Sequence, residues 1–141
     1  MIVVVAPGQG SQTPGFLEPW IADPAHRTRL ERYSEAAGID LVAHGTVSDA
    51  DTIRDTAIAQ PLIVAASLLS AHALLDGRRE RVGAVAGHSV GEFAAAAVAG
   101  VLSDVDAVRL VRERGLAMAD AAAVVPTGMS AVLGGDEDAL A

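Results

Sequence analysis

The sequence predicts an α/β fold: a parallel sheet with flanking helices. Three observations carry that prediction. Two short apolar runs, residues 2–6 and 82–86, read as strands, and the first, four branched residues without alternation, as a buried one. Helical patterns with start and stop signals lie between and after them, and alternating strands and helices favour a parallel sheet. The second run ends at Gly87-His88-Ser89-Val90-Gly91-Glu92, a serine between two glycines at a strand-to-helix junction.

The elements follow in order. Residues 2–6 form the first strand, and Pro7-Gly8-Gln9-Gly10-Ser11-Gln12 the loop after it. Residues 24–37 are polar and charged with Leu30 and Tyr33 three apart, a modest helix. Residues 52–59 predict a short helix. Residues 61–75 predict a stronger one, with Pro61 in its first turn and Gly77 just past its end. Leu62, Ala65, Leu69 and Ala73 cover most of its circumference, so it should be largely buried. Residues 82–86 are the second strand, and 93–98 the helix after the turn, closed by Gly100. Ser103 with Asp106 matches a capping box, opening a helix over 104–120. Pro126-Thr127-Gly128 breaks the chain, residues 129–133 predict a strand, and residues 134–138 turn into a helix barely begun at Ala141.

Composition bounds the function. At 141 residues the chain has the size of one domain. It is 51% hydrophobic with 3% aromatic residues, so its core is built on alanine and aliphatics. The net charge of −8 argues against nucleic-acid binding. All ten basic residues are arginine, so an anionic ligand must find local positive charge. With no cysteine there is no disulfide, thiolate metal site or cysteine nucleophile. The sequence holds neither a metal-ligand cluster nor a G-x-G-x-x-G, so no metal and no redox cofactor is expected. No apolar run reaches the roughly 18 residues of a membrane span, and no leader pattern precedes the first strand. The expected setting is the cytoplasm, without a membrane.

G-x-S-x-G between a strand and a helix is a nucleophile-elbow pattern. The sharp turn exposes the Ser89 hydroxyl, and the glycines avoid collision with neighbouring elements. The Val90 N–H, at the helix start, can face a developing oxyanion. An ordinary strand-to-helix turn fits the same five residues. A second oxyanion donor should come from a loop at the same sheet edge, and the 7–12 loop qualifies if the two strands are neighbours. Gly8 and Gly10 let its backbone approach a ligand, although a Gly-rich turn alone would look the same.

Pro-Gly-Gln-Gly-Ser-Gln at 7–12, Gln60-Pro61, the Gly-His-Ser-Val-Gly-Glu motif at 87–92, and Arg114-Gly115 occur in order. Together they resemble malonyl-CoA:acyl carrier protein transacylases and the acyltransferase domains of polyketide synthases. The resemblance implies an α/β-hydrolase-like core over 1–127 and the start of a ferredoxin-like subdomain over 128–141. It implies ping-pong transfer of malonyl from malonyl-CoA through Ser89 to the phosphopantetheine thiol of acyl carrier protein, with no further cofactor. Backbone N–H groups of Gln9 and Val90 would hold the oxyanion, and Arg114 the malonyl carboxylate. Gln60, Gly8, Gly10 and His88 would lie at the substrate. A monomer is expected.

The helix pattern tests the arginine only in part. Arg109 has Asp106 and Glu113 within a turn and reads as a solvated, paired charge. Arg114 and Arg112 both lack a local carboxylate, so spacing does not choose between them, and the resemblance selects Arg114. Arg78, Arg79 and Arg81 precede the second strand, which spans about 16 Å. They therefore belong at the opposite edge from Ser89, as a solvated loop.

No histidine here reads as a general base. His88 adjoins the serine but points elsewhere in a tight elbow, with a local role. His72 reads as a satisfied core or edge residue, and His26 and His44 lie in polar segments without a motif. Glu92 gets a supporting role at most. In the resembling family the base is a histidine much further along, so the expectation is an N-terminal portion of a longer protein. The start at Met1 on the first strand points to a freestanding enzyme. Val90 after the serine leans towards malonyl. The rival readings are a patatin-like serine acyl hydrolase, which needs no carboxylate clamp, and a non-catalytic CoA or acyl-carrier binding module.

Overall fold

A computed structural model describes residues 1–125 and Gly134. The predicted strand at 129–133 and the ferredoxin-like start at 128–141 lie outside the described residues. Two strands, β1 (Ile2–Ala6) and β2 (Val82–Gly87), pair in parallel, with Val4 opposite Val85 and Ala6 opposite Gly87. Six α-helices accompany them among the described residues: α1 (Glu18–Ile21), α2 (Pro24–Ala37), α3 (Leu41–Thr46), α4 (Thr56–Leu75), α5 (Gly91–Val98) and α6 (Asp104–Val124). The chain is α/β with a small parallel sheet.

Helix starts follow the capping rules. Asp23, Asp40, Asp55 and Ser103 each accept a backbone N–H of the first turn, from Ala25, Ala43, Ala57 and Asp106. Ser103 therefore opens α6 as its capping box predicts. Helix α2 ends at Gly38, whose φ of 65° gives a left-handed cap.

Helix α4 is the hub of the core, packed against α2, α3, α5 and α6. Its Leu62, Ile63, Val64, Ala65, Leu68 and Leu69 are each at most 1% exposed. By length and composition this 20-residue helix could cross a membrane. Its burial among other helices makes it the core helix instead.

Four expectations need correction. Residues 52–59 are not one helix: a 3-10 turn covers Thr52–Arg54, and Asp55 then caps α4. Helix α4 consequently starts before Pro61, which sits inside it. The short helices α1 and α3 were not expected, since four and six residues show too little periodicity. The first strand is not buried throughout: Val3 and Val5 are 54% and 70% exposed. Among the described residues helices cover one side of the sheet only.

A polar knot joins three helices. The Tyr33 hydroxyl donates to Asp104 Oδ2 at 2.9 Å, and His72 Nε2 lies 2.6 Å from the same oxygen. His72 is thus a satisfied residue, as the sequence indicated. Burial, then the Asp104 carboxylate, push the Tyr33 hydroxyl well above its ordinary range.

Candidate active site

The β2–α5 junction is an elbow. Ser89 has φ 52°, the one positive φ outside glycine among the described residues. That conformation is costly for a residue with a Cβ and marks a site worth chemical attention. Its hydroxyl is exposed. Both flanking glycines are sterically required. A Cβ on Gly91 would sit 2.4 Å from the Ala6 carbonyl at the end of β1, and one on Gly87 would sit 2.3 Å from the Glu92 nitrogen.

Because β1 and β2 are neighbours, the 7–12 loop meets the elbow. The His88 N–H donates to Ala6 O at 3.0 Å. The His88 ring lies against Gly8, where any Cβ would collide with its Nδ1. The imidazole packs on Gly8. The loop is further held by its own bonds: Gly10 N–H to Gln12 Oε1 and Ser11 Oγ to Gly8 O. Gln9 Nε2 donates to Thr56 Oγ1 at the start of α4, and Gln12 Nε2 to Ile53 O in the 3-10 turn before it.

In the first turn after the elbow, the N–H groups of Gly91, Glu92 and Phe93 go to the carbonyls of His88, Ser89 and Val90. Among the described residues nothing occupies the Val90 N–H. The Val90 side chain is fully buried in the core, so its apolar character serves packing there. Glu92 is exposed and makes no ion pair among the described residues.

Arg114 reaches the elbow from α6. Its Nη2 donates to Ser89 Oγ at 3.2 Å and its Nη1 to Gln60 Oε1 at 2.7 Å. Gln60 is 1% exposed, so it faces the guanidinium from inside the core. Its Nε2 finds only the soft acceptor Met118 Sδ, 3.2 Å away. Gly115 lets α6 close on α4: a Cβ there would lie 3.1 Å from Thr56 O. Gln60-Pro61 and Arg114-Gly115, distant in sequence, are one contact in space.

Arg112, which spacing could not separate from Arg114, has a different target. It donates to the backbone carbonyl of Ala57 at 2.6 Å. Arg109 pairs with Asp106 at 3.3 Å, as expected. Arg79 does more than line a solvated loop: it donates to Ala97 O and Val98 O, capping the end of α5. A carbonyl cap carries no sequence signal, because any backbone offers the acceptor. No histidine nitrogen bonds Ser89 Oγ among the described residues. His44 meets Ser48, and His26 lies tilted against Trp20.

The acyl transferase domain family matches residues 3–139. The chain belongs to that family. It is 55% identical over 140 residues to the malonyl CoA-acyl carrier protein transacylase of Mycobacterium tuberculosis, covering 97% of this chain and 46% of that protein. The crystal structure of MCAT from the same organism superposes with a TM-score of 0.92 at 52% identity, over 99% of this chain and 47% of that one. A type II polyketide-synthase acyl-carrier protein in complex with its malonyl-transacylase gives 0.77 at 33% identity, over 88% of this chain and 40% of that one. The chain thus spans about half the length of the curated relatives it matches. Within this acyl transferase domain, the described residues supply the elbow, the adjoining loop and the arginine.

Proposed function

We propose that the protein carrying this chain moves a malonyl group from malonyl-CoA to the phosphopantetheine thiol of acyl carrier protein, in fatty acid or polyketide synthesis. The observation that supports this most is the Arg114 guanidinium beside the hydroxyl of a positive-φ serine. Transfer to water of an uncharged acyl group gains nothing from a cation there. A substrate ending in a carboxylate gains a planar, two-pronged partner.

The reaction runs in two displacements. Ser89 Oγ attacks the thioester carbonyl as its proton passes to a base; the C–O bond forms, the C–S bond breaks, and CoA leaves as the thiol. The carrier thiol then attacks the ester and Ser89 recovers its proton. The Val90 N–H, with that of Gln9 in the loop packed beside the elbow, faces the oxyanion. Arg114 exchanges the Ser89 hydroxyl for the malonyl carboxylate while Gln60 keeps its other edge fixed. We assign the base to a histidine outside this chain, as the resemblance implies, since His26, His44 and His72 are engaged elsewhere and His88 packs on Gly8. The core is hydrolase-like, and the enzyme acts as a cytoplasmic monomer without metal or redox cofactor.

The test is intact mass spectrometry of the full-length protein after brief exposure to malonyl-CoA, beside Ser89→Ala. A malonyl adduct absent from the variant supports the transferase. Acyl-CoA hydrolysis without carrier protein would favour the hydrolase, and CoA retention without any adduct would favour the binding module.

A further inference from the structure

We infer that Arg112 is a positioning residue, holding α6 at the rotation on α4 that delivers Arg114 to Ser89. This rests on the malonyl-transfer reading of the site. Pro61 lies inside α4 and has no N–H, so the Ala57 carbonyl four residues earlier lacks its i+4 helical donor. Ala57 is half-buried, and a carbonyl shielded from water and left without a partner is costly. Arg112 Nη1 fills it at 2.6 Å with a charge-assisted bond.

The geometry makes that bond a brace. Val111 and Gly115 are buried one turn apart on α6, and Gly115 faces Thr56, Ala57 and Gln60 of α4. Arg112 and Arg114 are two residues apart, about 200° around the helix. They flank the Val111–Gly115 ridge and grip α4 from opposite sides, one at Ala57 O and the other at Gln60 Oε1. Rotation of α6 in either direction lengthens one of the two bonds. The same short segment of α4 holds Gln9 through Thr56. The proline in α4 thereby creates the acceptor that fixes the carboxylate-binding arginine relative to the oxyanion loop.

The test uses the full-length protein and follows Ser89 acylation by malonyl-CoA and by acetyl-CoA, with melting temperature alongside. Arg112→Met keeps the stem and removes the donor. It should slow malonylation about tenfold more than acetylation, and Arg112→Lys should restore most of the difference. Pro61→Ala added to Arg112→Met returns an N–H to Ala57 O. That double variant should regain melting temperature without regaining malonyl preference. Equal slowing with both acyl donors, or recovery of preference with stability, would overturn the positioning role. A wild-type protein that takes no malonyl group on Ser89 would instead overturn the reading beneath it.

Discussion

The α4–α6 seam and the β1–β2 sheet differ sharply in how their groups are satisfied. In the seam every specialised group has its counterpart: a proline-orphaned carbonyl meets Arg112, a buried glutamine meets Arg114, and a glycine admits Thr56 O. In the sheet, Val3 and Val5 stand open, beside a cavity of about 480 Å³ between β1, α4 and α5. The seam is a closed device that aims one side chain at Ser89. The sheet leaves an apolar face open among the described residues.

The largest expected effect comes from wedging the seam. Gly115→Val places atoms where even a Cβ would be 3.1 Å from Thr56 O. It should cost about 1–3 kcal/mol in denaturant unfolding and abolish malonyl selection as Arg114 is levered away. An unchanged stability would mean that α6 is free to shift, and the seam is then not closed.

A second effect tests the polar knot beside the seam. The Tyr33 hydroxyl has its pKa raised in the fold by burial and Asp104. The unfolded chain therefore ionises first, so the stability it contributes is present below about pH 10 and is lost as pH rises beyond. Thermal melts between neutral and strongly alkaline pH should show this decline, and Tyr33→Phe should flatten it.

The smallest effect belongs to the sheet. Val5→Thr, at a position 70% exposed, should change the stability of this chain by no more than about 0.5 kcal/mol. The same substitution in the full-length protein sharpens the contrast, because a core-sized loss there would identify a covering layer.

Much of this was legible in the sequence where local chemistry decides. The elbow could be read because strand, serine and paired glycines are contiguous, and the cap at Ser103 uses a short-range signal. The α4 start was misread because Pro61 resembles a first-turn proline, whereas Asp55 caps the helix earlier and the carbonyl that Pro61 leaves without its i+4 donor finds a partner on α6. Arg112 and Arg114 were indistinguishable by spacing because both targets lie on another helix, more than 50 positions away. The unalternating valines of β1 asked for cover on two faces, and one is supplied among the described residues.

The most direct measurement is the acyl preference of Arg114→Ala in the full-length protein, read as Ser89 acylation by malonyl-CoA against acetyl-CoA. Losing charge-assisted hydrogen bonds to the carboxylate should reduce malonyl preference about 100-fold or more, with acetylation largely retained. Preference unchanged by the substitution would contradict the assignment of Arg114 as the carboxylate partner, and with it the malonyl reading of the site.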